Sequence, residues 1–318
     1  MASAIGSADE IVEALPSQGR NRLRRLGHLA RQRPLGALGA VIIFVLIVAA
    51  LFGQDISAYG NTIVPGFAPH PAEQADPINK LQGPTWPDHI AGTDVIGRDL
   101  FSRIIYGART AMIIGIAATG IGIAIGTLIG TVSAYIGGFG DLFIQRVSDS
   151  MQALPPLVLM MVLVTMLSPG IGTVVFVIVI FLVPGTQRVI RGTVLSIKEF
   201  TYIEAARAVG ATAPRIVLRH IVPNIVAPIM VLATITIGGT ILAEAALSFL
   251  ALGANSAENP TWGFVLYEAT QRGNLTRWPW LALTPGAAIT LVVFAFNVFG
   301  DAIRDILDPR LRGTGAGA

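Results

Sequence analysis

The run TAMIIGIAATGIGIAIGTLIGTVSAYIGGFG at residues 110–140 contains no Asp, Glu, Lys or Arg. A helix crosses the hydrocarbon core of a bilayer in about 20 apolar residues, so this run is long enough to form a membrane span. Four comparable stretches lie at residues 32–54 (interrupted only by Arg33), 150–187, 220–243 and 278–300.

The stretch at 150–187 is too long for one helix, and Ser168, Pro169 and Gly170 near its middle predict a turn. It therefore indicates two short spans joined as a hairpin. The sequence predicts an all-α membrane protein with six transmembrane helices. The predicted spans are residues 35–52, 111–135, 153–167, 173–189, 226–243 and 281–300.

The overall composition agrees with a membrane protein, since 53% of the 318 residues are hydrophobic and only 13% are charged. An average soluble domain has about 25% charged residues. Most of the 22 Lys and Arg residues lie on the side that holds both termini, so both termini are predicted to be cytoplasmic. This bias accounts for the net charge of +3, and no nucleic-acid partner is expected. The absence of cysteine excludes disulfides, thiol catalysis and thiolate metal sites.

The chain divides into two tails, a first span, a segment on the outer side of the membrane, and a core of five spans. The outer segment is expected to be a loop-rich cap that ends in a helix lying on the membrane surface at 97–109, where Asp99 and Arg103 are spaced to pair. The predicted divisions are 1–34 (cytoplasmic tail), 35–52 (first span), 53–110 (cap and surface helix), 111–300 (core, with a cytoplasmic loop at 190–224) and 301–318 (cytoplasmic tail).

Three glycines in the second span, Gly122, Gly126 and Gly130, recur at four-residue spacing. Small residues on one face of a helix allow two backbones to approach closely in a membrane. The partner is either another helix of this chain or a second subunit. The tryptophans are predicted to anchor the chain at the membrane interface, and they are Trp86, Trp262, Trp278 and Trp280.

The cytoplasmic loop at 190–224 has a helical pattern of its own. Thr201 followed by Glu204 predicts a capping box at the start of a short helix, and Gly210 is suited to a left-handed stop. Thr212 is placed to cap a second helix, which Pro223 is expected to end before the fifth span. The pattern is compatible equally with an elbow packed on its own chain and with a docking site for another protein.

The sequence contains neither a nucleotide-binding motif nor acidic or histidine residues in the middle of its predicted spans. A phosphate-binding loop requires Gly-Lys followed by Ser or Thr, whereas neither Lys80 nor Lys198 follows glycine. An ion-coupled carrier is expected to place carboxylates or histidines inside its spans, but Glu244 and Asp301 are predicted at the ends of spans. His70 and His89 lack the spacing of metal ligands, and no arrangement of Ser, His and Asp suggests a hydrolase.

Five motifs together resemble a known family. EAARAVG at 204–210, followed after nine residues by HIVPN at 220–224, is similar to the cytoplasmic signature of bacterial ABC importer permeases. Four further motifs are similar to the C-type permease subunit of dipeptide and oligopeptide transporters, with one departure at Ala251, where that family often has glycine. They are GTDVIGRDLFSRIIYGAR at 92–109, AEAALSFLALG at 243–253, PTWG at 260–263 and GDAIRDILDPR at 300–310. The resemblance spans residues 35–311.

The resemblance implies a type I ABC importer fold in the bacterial inner membrane and a non-catalytic permease that imports peptides. Its partners would be a second, B-type permease subunit, one or two ATPase subunits that bind ATP and Mg²⁺, an extracytoplasmic substrate-binding protein, and membrane lipid. No cofactor, metal or catalytic residue is expected in this chain. The residues that it implies for coupling to the ATPase are Glu204, Ala205, Ala206, Arg207, Gly210, Arg215, His220 and Pro223.

Several alternatives stay open at this point. The chain could be a secondary transporter or channel driven by an ion gradient, an ABC permease for nickel or glutathione, or, as a third class, a membrane-embedded hydrolase. Arg207, Arg215 and Arg219 could pair with the ATPase, or could serve only to orient the chain in the membrane. At the end of the chain, Arg304, Asp305, Asp308 and Arg310 are expected to pair with one another rather than with a partner.

Overall fold

The computed structural model describes residues 33–58, 61–168, 170–254, 256, 258–271 and 276–307, without the side chains of 56–64. Nearly all of the predicted tail at 1–34 lies outside the described residues. The same holds for 308–318, which includes Asp308 and Arg310.

The fold is built from helices, as predicted, with a small hairpin after the first of them. Within the part of the chain that the structure describes, five helices are long and apolar enough to cross a membrane, and a bent pair of helices brings the number to six if it is counted as one span. The helices are α1 Pro34–Phe52, α2 Leu100–Ile136, α3 Gly138–Gln152, α4 Pro156–Met166, α5 Ile171–Lys198, α6 Thr201–Ala208, α7 Ala213–Ile216, α8 Val222–Phe249, α9 Trp262–Thr270 and α10 Trp280–Leu307. A π turn, Val217–Ile221, joins α7 to α8, the antiparallel strands β1 Ile56–Ala58 and β2 Asn61–Val64 form the hairpin, and a 3-10 turn covers Pro77–Asn79.

The bent pair is α3 and α4, which meet at 88°. The prediction of a span within 153–167 is therefore wrong in its extent, because only α4 lies there and the apolar length of a span is reached only together with α3. Pro155 and Pro156 stand at the start of α4, where proline cannot continue a preceding helix because it lacks the N–H group and its ring clashes with the previous turn. With 11 residues, α4 is about 16 Å long, roughly half of the hydrocarbon thickness.

The long helix α2 joins two elements that were predicted to be separate. It runs unbroken for 37 residues, about 55 Å, so the prediction of a separate surface helix ending at Arg109 is wrong. The one glycine near the expected break, Gly107, lies within the helix and packs against Trp262, because a Cβ there would lie 2.5 Å from the indole ring. Trp262 is 2% exposed, which also overturns its predicted place at the membrane interface.

The three spaced glycines of α2 face α5 of the same chain. A Cβ on Gly122 would lie 2.9 Å from Leu182, and one on Gly126 would lie 2.6 Å from Thr186. A Cβ on Gly130 would lie 2.6 Å from a carbonyl oxygen of α5. The two backbones therefore approach as closely as they do because these side chains are absent. Of the two partners that the sequence allowed for these glycines, the structure therefore shows another helix of the same chain.

Both ends of the described chain lie at one end of the bundle, because Arg33 before α1 forms an ion pair with Asp305 of α10. We call this end the terminal face and the other end the opposite face. Asp305 was predicted to pair within its own helix end, and that prediction is wrong. The direction of the helices alternates along the chain, so α2 and α5 end at the terminal face, and the segment between α5 and α8 lies there too.

A buried group of ionic side chains connects α2 and α9 at the opposite face. The Nη1 of Arg103 lies 2.9 Å from Asp94 and 2.7 Å from Glu268, and Arg98 bonds the same two carboxylates. Burial alone would lower the pKa of Arg98, but the two carboxylates raise it above its ordinary value. The predicted pair of Arg103 with Asp99 is wrong, because Asp99 instead accepts the Ser102 N–H at 2.7 Å as the N-cap of α2.

Glu244 lies inside the bundle rather than at its edge. It is 1% exposed and accepts a hydrogen bond of 2.6 Å from Ser248 one turn later in α8. The predicted interfacial position of this carboxylate is therefore wrong. The sequence placed the end of the fifth span too early, since α8 extends to Phe249.

Candidate functional site: the elbow on the terminal face

The segment that carries EAARAVG forms an elbow, by which we mean residues 199–221, between α5 and α8. It is shorter than the predicted loop at 190–224 because α5 extends to Lys198 and α8 begins at Val222. Its first helix, α6, begins at Thr201, and the N-cap is Phe200, which makes no side-chain capping bond. The predicted capping box of Thr201 and Glu204 is therefore wrong.

The end of α6 follows the prediction. Gly210 has a φ of +81°, a left-handed conformation that glycine adopts without steric cost. Its N–H donates to the carbonyl oxygen of Arg207 at 2.9 Å, and the N–H of Ala211 donates to that of Ala206 at 3.0 Å. These two bonds make a Schellman motif, which satisfies carbonyls at the end of the helix. The left-handed stop at Gly210 is confirmed.

The second half of the elbow departs from the prediction at Pro223. Thr212 stands at the N-cap position of α7, but its side chain makes no capping bond. Pro223 does not end the helix, because α7, the π turn and α8 run on as one course from Ala213 to Phe249. The π turn Val217–Ile221 comes just before Pro223. A turn with i to i+5 bonds widens the helix, which relieves the clash between the proline ring and the preceding turn.

One side of the elbow is packed on the bundle. Ile203 of α6, Ile216 of α7 and Ile221 of the π turn are at most 1% exposed. They form a cluster with Ile190 and Val194 of α5. The elbow is therefore packed on its own chain, as one of the two alternatives predicts.

The other side of the elbow is open. The motif residues Glu204, Ala205 and Arg207 are exposed, Ala206 and His220 are half-buried, and Val209 is 84% exposed. Arg215 and Arg219 are exposed as well. Glu204 lies in the first turn of α6, where a carboxylate interacts favourably with the helix dipole. Self-packing on one side thus leaves most of the motif accessible on the other.

Arg207 connects the elbow to the end of α2. Its guanidinium lies over the ring of Tyr135, with Cζ 5.9 Å from the ring centroid. Lys198 lies 5.6 Å from the centroid of the same ring and donates to the carbonyl oxygens of Ala134 and Tyr135 at 3.0 and 3.1 Å. These carbonyls belong to the last turn of α2, where a cation satisfies unpaired acceptors and interacts favourably with the dipole.

Sequence reasoning missed Tyr135 and Lys198. Lys198 was considered only as a residue of a phosphate-binding loop, and Tyr135 only as the end of a span. Tyr135 is far from the motif along the chain, so no spacing rule connected the two. The one available hint was that a lysine at the end of a predicted helix can cap carbonyls.

His220 and Asn224 close the elbow where it joins α8. The Nδ2 of Asn224 donates to the carbonyl oxygen of His220 at 2.6 Å. The His220 ring lies 6.1 Å from that of Tyr202 in α6. The HIVPN motif therefore joins the two halves of the elbow, in addition to any contact with another protein.

Comparison with known proteins places similar chains among transporters. Residues 122–313 match the family described as binding-protein-dependent transport system inner membrane component. The chain is 38% identical over 298 residues to the glutathione transport system permease protein GsiD of Escherichia coli O157:H7, covering 94% of both proteins. It is 38% identical over 284 residues to the dipeptide transport system permease protein DppC of Alkalihalophilus pseudofirmus, covering 89% of this chain and 88% of that protein.

Similar folds occur in solved structures of the MetNI methionine ABC transporter in inward-facing conformations. One crystal form gives a TM-score of 0.54 at 19% identity, covering 65% of this chain and 96% of that chain. A second form gives 0.53 at 21% identity, covering 64% and 96%. At this identity the likeness shows the fold, which is that of a type I ABC importer permease.

Proposed function

We propose, because this chain belongs to the family of binding-protein-dependent transport system inner membrane components, that it is a permease subunit of an ATP-driven importer of short peptides. Its relatives are named for dipeptide and glutathione transport, and glutathione is itself a tripeptide. Short peptides are therefore the cargo class that both names share. Membership of this family does not favour an ion-gradient-driven carrier or channel, and it does not favour a hydrolase.

The observation that carries the coupling role is the two-sided elbow. Its buried isoleucines fix it to α5 and α8, while Glu204 and Arg207 are exposed. A coupling element needs both properties, since it must receive a movement on one side and pass it to the spans on the other. In this proposal the terminal face is cytoplasmic, and the exposed side of the elbow docks on an ATPase subunit.

The remaining partners follow from the same proposal. A second permease subunit completes the translocation pathway, and an extracytoplasmic binding protein delivers the peptide at the opposite face. One or two ATPase subunits bind ATP and Mg²⁺, so that this chain catalyses no reaction and needs no cofactor of its own. Membrane lipid surrounds the spans. ATP and the loaded binding protein drive transport by favouring the same conformation of the permeases, because a ligand shifts an equilibrium only through differential affinity.

The test uses the assembled transporter, purified through a tag on this chain. Glu204→Arg reverses a charge on the exposed side of α6, and Glu73→Arg makes the same change at an exposed position on the opposite face. We expect Glu204→Arg to abolish copurification of the ATPase and ATP-driven peptide uptake, and Glu73→Arg to retain copurification of the ATPase. Equal copurification in the two variants contradicts docking at the elbow. Peptide uptake that continues without ATP and follows an ion gradient contradicts the proposed function itself.

A further inference from the structure

A cavity of about 430 Å³ opens near the opposite face, within the range of small-ligand sites. It lies where the end of α1, the second and third turns of α2, the start of α5 and the segment before α9 meet. Its wall includes a cation, Arg109, and two carboxylates, Asp55 and Glu258. Ile113 and Ile171 supply apolar surface beside them. We call this space the charged cavity.

The cation is held in place by a buried amide. The Nη1 of Arg109 donates to the Oε1 of Gln54 at 2.9 Å. Gln54 is 8% exposed, and its Nε2 donates to the carbonyl oxygen of Tyr106 at 3.4 Å. One N–H group of the guanidinium therefore fixes the side chain. The planar fork has four further N–H groups, and this fork matches the geometry of a carboxylate.

The carboxylates have a different setting. The Oδ1 of Asp55 accepts the Gly66 N–H at 2.7 Å, which anchors the side chain and leaves acceptor capacity on its second oxygen. Glu258 is exposed and lies in the segment that precedes α9. Arg109 and the two carboxylates therefore belong to three different parts of the fold and line the same cavity.

We propose that the charged cavity binds the two termini of a short zwitterionic peptide. Arg109 receives the terminal carboxylate, and the Asp55 and Glu258 carboxylates receive the terminal ammonium group. Two extended residues span about 7 Å, which suits a cavity of this size, and the apolar walls accept side chains without strong selection. The inference rests on the proposed function, because it assigns to the peptide importer a binding site of its own at the face where cargo enters.

The test measures peptide binding rather than transport. The complete transporter is reconstituted in nanodiscs without the binding protein, and equilibrium dialysis compares labelled dialanine with its N-acetylated and C-amidated forms. We expect the unblocked peptide to bind about tenfold more tightly than either blocked form, the effect of one hydrogen bond to a charged group.

Variants that remove charges from the cavity then assign each terminus. Arg109→Gln is expected to abolish the preference for a free carboxylate only, and Asp55→Asn combined with Glu258→Gln the preference for a free amino group only. Arg277→Gln and Asp88→Asn change exposed charges outside the cavity and are expected to keep both preferences. Arg109→Lys retains the charge and is expected to keep part of the carboxylate preference, which separates loss of the cation from misfolding.

The inference is overturned if the wild-type transporter binds blocked and unblocked peptides equally, or binds neither at millimolar concentration. It is also overturned if the control variants lose the same preferences. These results leave the proposed function intact when the same preparation, with its binding protein, still takes up peptide with ATP. Failure of that uptake would count against the proposed function instead.

Discussion

The guanidinium of Arg207 lies over the ring of Tyr135, with Cζ 5.9 Å from the ring centroid. This contact joins the exposed motif of the elbow to the last turn of α2, a helix that begins at the opposite face. Lys198 contacts the same ring and caps the same turn. A movement of α6 can therefore reach α2 through side chains as well as through the backbone of α5.

The first prediction concerns this ring. Tyr135→Ala removes the π face, and an exposed cation–π contact contributes about 0.5–1 kcal/mol. We expect the variant to bind the ATPase normally but to import several-fold less peptide per ATP hydrolysed. Tyr135→Phe keeps the ring and is expected to behave as the wild type. The measurement is the ratio of peptide uptake to phosphate release in proteoliposomes. An unchanged ratio in Tyr135→Ala would show that the contact carries no coupling.

The second prediction concerns the backbone of Gly210. Gly210→Ala is expected to destabilise the elbow by about 1 kcal/mol, because an L-residue in the left-handed region meets its own carbonyl oxygen. Gly192→Ala in α5 is the matched control, since at both positions an added Cβ finds open space and only the φ differs. There the change is expected to stabilise the helix slightly.

The comparison is made by thermal unfolding of the purified chain in detergent and by ATPase copurification. We expect a lower Tm and weaker copurification for Gly210→Ala only. Identical Tm values for the two variants would mean that the left-handed conformation at Gly210 is not needed for the fold.

The third prediction concerns the buried ionic group. Arg103→Met leaves the Asp94 and Glu268 carboxylates with Arg98 as their remaining cation, and breaking a buried ion pair costs about 3–5 kcal/mol. Arg146→Met removes an arginine whose side chain is 75% exposed and is expected to cost less than about 1 kcal/mol. The free energies of unfolding in detergent should differ accordingly. Similar values would mean that Arg98 alone neutralises both carboxylates.

The sequence was sufficient for features that depend on local chemistry. The charge-free runs located the five long helices because bilayer insertion depends on hydropathy over a single window, and the stop at Gly210 was predictable because a left-handed turn favours glycine. The sequence failed where the partner was distant in the chain. Arg103 pairs with Asp94 and Glu268 rather than with Asp99, and Arg207 contacts Tyr135. Packing brings these residues together, and no spacing rule connects them.

Two local predictions failed for a different reason. The capping box at Thr201 was wrong because α6 begins one residue earlier relative to that side chain than the pattern assumed, with Phe200 as the N-cap. The stop at Pro223 was wrong because a π turn accommodates the proline. A π turn forms backbone hydrogen bonds between residues i and i+5 instead of i and i+4. No common sequence pattern predicts such a turn. In both cases the helices of the elbow were predicted, and the error was in where one helix begins or ends.

The fourth prediction distinguishes the two roles that were open for the small residues of α2. A Cβ at Gly126 would lie 2.6 Å from Thr186 of α5, whereas a Cβ at Gly120 in the same helix meets nothing within 4 Å. Gly126→Ala forces the two helices apart, and overpacking of this kind costs about 1–3 kcal/mol. Gly120→Ala is expected to leave stability unchanged or slightly raised.

The measurement is the Tm of the isolated chain in detergent, followed by copurification of the second permease subunit. An intramolecular seam predicts a lower Tm for Gly126→Ala in the isolated chain, before any partner is added. If Gly126→Ala instead keeps its Tm and loses only the second permease, these glycines serve the subunit interface, and the close approach of α2 to α5 does not depend on them.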